Sequence, residues 1–239
     1  MDKTDPFAPT IPAPTAMRPL LGLTVLVIED SRFACEAMRL LCLRSGARIR
    51  RADSLRSARR HLQVYRPSVV IIDIGLPDGN GMDLIRELTS CDPRVDVVLG
   101  TSGDPDGEAQ AMSAGADGFL AKPITSLALF QQEVLSNLPQ DRQPTGLREL
   151  PDDSISPDPM AFQDDMEHIA GVLDDQSDGT TLDYVAQFLG GVARSAHDVG
   201  LEKAAAALAA KRASGLPAVQ EATDLSGLIR QRLTQKLAI

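Results

Sequence analysis

The stretch Val-Val-Ile-Ile-Asp at residues 69–73 decides the fold, because it is a short apolar, β-branched run that ends in a carboxylate. Segments of the same kind, each bounded by turn-forming residues, lie at 23–28, 47–51, 95–99 and 118–121. Each of these runs is too short for a helix and is typical of a buried strand. Amphipathic helical patterns separate them, near 31–45, 54–64, 82–90, 105–114 and 125–137.

This alternation predicts an α/β fold, a doubly wound five-stranded parallel sheet with helices on both faces. The expected strand order is 2-1-3-4-5, the flavodoxin-like arrangement. Right-handed crossovers place the carboxyl ends of all strands at one edge, where open α/β sheets bind ligands. Polar residues follow four of the runs and should therefore converge there: Glu29, Asp30, Asp73, Thr101, Ser102 and Lys122.

The residue types at this edge predict phosphoryl transfer. Three carboxylates in one small pocket raise one another's pKa unless a cation is present. A hard ion such as Mg²⁺ binds one or two carboxylates together with waters and phosphate oxygens. Lys122 would add a compact positive charge for phosphate. The set predicts Mg²⁺ as the cofactor and Asp73 as the nucleophile.

Four motifs in this order resemble the receiver domain of two-component response regulators. They are Val-Leu-Val-Ile-Glu-Asp-Ser (25–31), Ile-Asp-Ile-Gly-Leu-Pro-Asp-Gly-Asn-Gly-Met-Asp-Leu-Ile (72–85), Thr-Ser-Gly-Asp (101–104) and Ala-Gly-Ala-Asp-Gly-Phe-Leu-Ala-Lys-Pro (114–123). The resemblance covers residues 21–138. It implies a signalling protein, rather than an enzyme acting on other molecules, that accepts phosphate from a histidine kinase or a histidine phosphotransfer protein.

The resemblance also implies a role for each acidic residue. Asp73 would be the phosphoacceptor, and Asp30 and Asp73 would bind Mg²⁺ directly. Glu29 would act through a water molecule, and the backbone carbonyl of Gly75 would complete the shell. Gly75 would also leave the site open to water, which predicts a short-lived phosphoryl group.

The remaining roles belong to the switch that follows phosphorylation. By resemblance, Lys122 would pair with the phosphate. Ser102, which precedes a glycine, is the expected switch hydroxyl, with Thr101 as the alternative. Phe119, three residues before Lys122, would be the switch aromatic.

The rest of the chain has a different composition. Residues 1–20 are proline-rich and predict a flexible tail, and residues 139–159 predict a linker. Helical spacing over 160–239 predicts a small all-α domain of three or four helices packed as a bundle. So small a core would be stabilised by docking on the receiver or by dimerisation.

The bundle is interpreted as an output module that contacts an unidentified downstream protein. Residues 139–239 hold 9 Lys and Arg against 16 Asp and Glu, a balance that argues against DNA binding. His197 in Ala-His-Asp-Val-Gly faintly resembles the His-x-Leu-Lys-Gly motif of phosphotransfer modules. The alternative is therefore a phosphorelay intermediate that passes phosphate to another protein's histidine or to its own bundle. A helix-end histidine stabilised by the helix dipole explains His197 more simply, because the Lys-Gly pair is missing.

Composition sets further expectations. No apolar run approaches the roughly 18 residues of a membrane span, and the N-terminus lacks a signal-like apolar region, so a cytoplasmic protein is expected. The net charge is −9, yet nine arginines and one acid lie between Arg39 and Arg66. This basic face predicts a docking surface for an acidic partner, either the phosphodonor or the chain's own bundle in an autoinhibited pose.

Overall fold

The computed structural model describes residues 13–145, 150–175 and 179–234. Part of the predicted tail (1–12), of the linker (146–149) and of the helical region (176–178 and 235–239) lies outside the described residues.

The predicted parallel sheet is confirmed, and its strand order is β2-β1-β3-β6-β7. Its strands are β1 Thr24–Ile28, β2 Arg48–Ala52, β3 Val69–Asp73, β6 Val97–Ser102 and β7 Gly118–Ala121. A short hairpin of β4 Gly75–Leu76 and β5 Gly79–Asn80 follows β3. In chain order the five sheet strands are therefore arranged 2-1-3-4-5.

Helices cover both faces of the sheet and close two apolar layers. They are α1 Arg32–Ser45, α2 Leu55–Val64, α3 Gly81–Ser90, α4 Gly107–Ser113 and α5 Leu127–Asn137. One layer contains Leu41 of α1 and Phe130 of α5, and the other contains Leu84 of α3. The side chain of Ser31 caps the start of α1, and Gly46, with φ of 85°, ends it.

The fourth sheet strand differs from its prediction. It was expected at 95–99 but spans Val97–Ser102, so Thr101 and Ser102 lie inside the strand and not after it. Thr101 pairs with Asp73 on one side and with Leu120 on the other. The ladder continues through these hydroxyl residues because both neighbouring strands extend that far, which an apolar pattern does not reveal.

The predicted tail and linker are partly packed against the α/β domain. Leu20 is fully buried in the α1 and α5 layer, and Ile155 joins the same layer. The backbone N–H of Ile155 donates to the carbonyl of Thr125. A short 3₁₀ helix, Gln140–Arg142, follows α5. The proline-rich composition of these two segments does not indicate that Leu20 and Ile155 are buried.

The C-terminal region is helical, as predicted, and contains four helices among the described residues. They are α6 Pro159–Asp175, α7 Gly179–Ser195, α8 Val199–Ala213 and α9 Val219–Thr234. These helices share one apolar core that includes Ile169, Leu189, Leu208 and Ile229. We call them the bundle. Of the helices that the structure describes, none is long and apolar enough to cross a membrane.

Candidate functional site

Three carboxylates meet at the carboxyl edge of the sheet. Glu29 and Asp30 follow β1, and Asp73 ends the neighbouring strand β3. One carboxylate oxygen from each residue lies within 4.8 Å of the others. Glu29 and Asp73 are buried, so the cluster is shielded from bulk solvent.

Lys122 supplies the positive charge of the cluster. Its backbone N–H donates to the carbonyl of Ser102, which holds the start of the β7–α5 loop beside the site. Its Nζ lies 2.8 Å from Asp73 Oδ2 and 2.6 Å from Glu29 Oε2, and its side chain is 8% exposed. Burial alone would lower the pKa of Lys122, but the two carboxylates raise it above the ordinary value, so the ammonium stays charged.

One lysine does not neutralise three acids. Burial, and then the Asp73 carboxylate, raise the pKa of Asp30 to about 6, although Tyr184 and Lys122 oppose the shift. Burial also raises the pKa of Glu29 well above its ordinary value, against the effect of Lys122. Glu29 and Asp30 therefore hold protons more strongly than free carboxyls do, and a bound divalent cation would favour their charged forms.

The donor set fits a hard divalent cation. All three side chains offer oxygen, which Mg²⁺ prefers. Glu29 Oε2 is buried and forms an ion pair with Lys122 Nζ, as Asp73 Oδ2 does. Gly75 lies two residues after Asp73, and its N–H donates to Asp73 Oδ1 at 3.3 Å. Glu29, Asp30, Asp73 and Gly75 are thus together at one point of the edge.

The two candidate hydroxyls have different surroundings. Thr101 is fully buried, and its Oγ1 donates to the carbonyl of Leu120 at 2.7 Å. Ser102 lines the same cavity as Asp73 and Lys122, and its Oγ accepts a hydrogen bond from the N–H of Asp104 at 3.1 Å. The ring of the half-buried Phe119 packs against Gly100 and Gly107.

The bundle also reaches this site, which the sequence reasoning missed. The hydroxyl of Tyr184 donates to Asp30 Oδ2 at 2.8 Å. A Cβ added at Gly75 would lie 1.9 Å from Gln187 Nε2, and one added at Gly103 would lie 2.9 Å from Arg194 Nη1. The amide of Gln187 therefore lies against Gly75 in this structure, a contact that the sequence does not predict.

A cavity of about 760 Å³ lies beside the Tyr184–Asp30 contact, between the carboxyl edge of the sheet and the bundle. Its walls combine residues of the α/β domain with residues of α7 and α8, among them Asp73, Ser102, Lys122, Gln187, Arg194 and Arg212. In sequence, Tyr184, Gln187 and Arg194 follow one another at intervals of three and seven residues. That helical spacing of polar residues, opposite the apolar face of α7, was the available signal.

Two other sequence candidates lie elsewhere. His197 is exposed in the turn between α7 and α8, with φ of 56°, and does not line this cavity. The arginines of β2 and α2 in the basic face are exposed. The chain's own acidic segments reach α1 through Arg32–Asp164, at 2.8 Å, and Arg44–Asp153, at 3.1 Å.

Comparison with known proteins supports the resemblance for one part of the chain. Residues 25–132 match the family model of the response regulator receiver domain. The KDP operon transcriptional regulatory protein KdpE of Escherichia coli (strain K12) is 31% identical over 100 residues, which cover 42% of this chain and 44% of that protein. The virulence transcriptional regulatory protein PhoP of Salmonella typhimurium (strain LT2) is 31% identical over 103 residues, with 43% and 46% covered. The chain thus spans less than half the length of these relatives.

Two solved structures are also similar to part of the chain. A putative response regulator from Chloroflexus aurantiacus is 27% identical, with a TM-score of 0.40, 42% of this chain covered and 85% of that one. The signal receiver domain of a signal transduction histidine kinase from Syntrophus aciditrophicus is 23% identical, with a TM-score of 0.45, 53% of this chain covered and 98% of that one. The family match ends at residue 132 and does not include the bundle.

Proposed function

We propose that Asp73 of the response regulator receiver domain, whose family model residues 25–132 match, accepts a phosphoryl group in a Mg²⁺-dependent reaction. The donor is the phosphohistidine of a histidine kinase or a histidine phosphotransfer protein, partners that would place the protein in the cytoplasm. The observation that carries the proposal is the buried Lys122, which is ion-paired with Asp73 and Glu29 beside a three-carboxylate cluster. The protein acts as a phosphoacceptor and not as an enzyme on other substrates.

The acidic residues would hold the metal. Asp30 and Asp73 would bind Mg²⁺ directly, Glu29 through water, and Gly75 through its carbonyl. When bound, Mg²⁺ neutralises charge on the transferring oxygens. A carboxylate oxygen of Asp73 attacks phosphorus in line, so that a P–O bond forms as the P–N bond to the donor imidazole breaks. The electron pair of that bond leaves with the imidazole, and Lys122 transfers its ion pair from Asp73 to a phosphoryl oxygen.

The surroundings of the two hydroxyls favour Ser102 as the switch residue. Thr101 already donates to Leu120, whereas Ser102 lines the cavity that the phosphoryl group would enter. The side chains of Ser102 and Phe119 both lie close to Gly107. Movement of Ser102 toward a phosphoryl oxygen would therefore free space beside Phe119. The phosphoryl group thus biases a two-state element of the receiver.

The output is proposed to be a protein contact made by the bundle. Its acidic composition is a poor match for a phosphate backbone, so we do not expect the bundle to bind DNA. The downstream partner would be a protein, or a second copy of the chain.

The test is phosphoryl mapping by mass spectrometry on the whole chain with acetyl phosphate and Mg²⁺. We expect label on Asp73 alone, and none in an Asp73→Asn variant. Asp83→Asn, on the exposed surface of α3 beside Arg86, is the matched control and should label normally. Label on His197 would instead make the protein a relay intermediate, and label absent from Asp73 would contradict the proposal.

A further inference from the structure

Helix α7 lies across the carboxyl edge of the sheet. Tyr184 contacts Asp30 after β1, Gln187 covers Gly75 after β3, and Arg194 reaches Gly103 after β6. Strands β1, β3 and β6 are neighbours in the sheet, so the polar face of α7 follows their order. Gly75 and Gly103 lack the side chains that would keep this face away, which allows a close approach.

A second set of contacts fixes the bundle in this position. Asp165 of α6 is 1% exposed, and its carboxylate accepts hydrogen bonds from Ser31 Oγ and from the N–H groups of Arg32 and Phe33. The rings of Phe33 and Phe162 meet edge to face, with centroids 5.9 Å apart. The position of α7 over the cavity is therefore determined by buried polar and apolar contacts and not by one surface ion pair.

The cavity holds positive and hydrogen-bonding groups on both walls. On the receiver wall, Lys122 is already shared between Asp73 and Glu29. On the α7 wall, Arg194 uses its Nε for the carbonyl of Gly190 and lies 3.6 Å from Glu202, with its Nη atoms toward Gly103. A phosphoryl group on Asp73 would add a charge of about −1.5 to −2 to this space.

We propose that Arg194 and Gln187 form the second half of a phosphoryl-binding site, so that the bundle binds the phosphorylated Asp73 of its own receiver. The inference rests on the proposed function. An Arg fork and an amide suit phosphoryl oxygens, and Arg194 can exchange the long contact with Glu202 for a shorter one. Because the phosphoryl group contacts α7 only in the docked form, phosphorylation strengthens docking. Transfer from a bulky protein donor requires α7 to leave the edge first.

The test is hydrogen exchange of α7 in the whole chain, with acetyl phosphate and Mg²⁺ as the phosphorylating agent. Phosphorylation should raise the protection of α7 roughly tenfold, the factor that one partly exposed charge-assisted hydrogen bond provides. Arg194→Gln should lose this gain while still accepting phosphate, and Arg194→Lys should recover part of it. Arg230→Gln, at an exposed ion pair with Asp174, is the control and should behave like the wild type.

The outcomes separate the two proposals. Wild-type protein that takes no label on Asp73 contradicts the proposed function itself. Label on Asp73 with unchanged or reduced protection of α7 contradicts only the second half-site, and so does an Arg194→Gln variant that gains protection like the wild type. Thermal unfolding of each variant tests whether replacement of the half-buried Arg194 leaves the fold intact.

Discussion

The protonation state of Asp30 depends on its burial and on the groups that surround it. Burial and Asp73 raise its pKa to about 6. Between its ordinary value near 3.9 and about 6, the folded protein holds a proton that the unfolded chain releases. Asp30 therefore stabilises the fold below that window, and this contribution is lost as the pH rises through it. Mg²⁺ has to displace the same proton.

The Mg²⁺ affinity should therefore rise from about pH 5 to about pH 6.5 and level off above it. Calorimetric titration of the whole chain with Mg²⁺ across this range measures the effect. The Tyr184→Phe variant loses a hydrogen bond that lowers the pKa of Asp30, so its plateau should begin at a higher pH. An affinity independent of pH over this range would show that Asp30 does not bind the ion.

A second residue-scale prediction separates the two hydroxyls. Thr101→Val keeps the shape of the side chain but removes the donor to the carbonyl of Leu120, a fully buried bond. We expect it to lower the free energy of unfolding by about 1–2 kcal/mol in urea denaturation. Ser102→Ala, at a hydroxyl that lines the cavity, should cost less. Equal losses would indicate that both hydroxyls have the same structural role.

At the scale of elements, α1 is capped from two places. Ser31 caps its own helix through the N–H of Ala34, while Asp165, on α6, binds two further N–H groups of the first turn. A carboxylate near a helix N-terminus is favoured by the helix dipole. The start of α1 is therefore also an attachment point for the bundle, and its stability is coupled to docking.

Asp165→Ala should release the bundle from α1 while the sheet stays folded. It removes three hydrogen bonds from a buried group, so docking should weaken by about 1–3 kcal/mol. Asp164→Ala is the matched control. The side chain of Asp164, next to Asp165 in sequence, is 40% exposed and makes one surface ion pair with Arg32. Hydrogen exchange at the N–H groups of Arg32 and Phe33 reports the difference. Similar exchange in the two variants would contradict the assigned role.

At the scale of the whole molecule, the sequence predicted the features that depend on local patterns, and it did not predict the contacts between distant segments. Asp30, Asp73 and Lys122 were placed correctly at one edge because each follows an apolar run and the topology brings strand ends together. The predicted end of β6 was wrong, because Thr101 is polar yet pairs with β3 and with β7, and Ser102 still pairs with β7. The contacts of the bundle join residues far apart in the chain, 154 apart for Tyr184 and Asp30. No periodicity encodes which face of one unit meets which face of another.

The close approach of α7 to the sheet edge gives the last prediction. A side chain at Gly75 must displace Gln187, because even its Cβ would lie 1.9 Å from Nε2. Alanine displaces only the flexible amide, whereas Gly75→Leu should push α7 away and increase the radius of gyration in small-angle scattering. Gln187→Ala in the same chain should restore part of the compact form, since neighbouring substitutions couple by about 0.5–3 kcal/mol.

Gly171→Leu is the control for this experiment, since nothing lies within 4 Å of a Cβ added on α6 at that position. It adds the same side chain where no neighbouring atom is met, and within α6 leucine favours the helix more than glycine does. If Gly75→Leu and Gly171→Leu have the same radius of gyration, the position of α7 at the sheet edge does not depend on the absence of a side chain at Gly75. If only Gly75→Leu expands, the glycine beside Asp73 controls whether the bundle can cover this edge of the sheet.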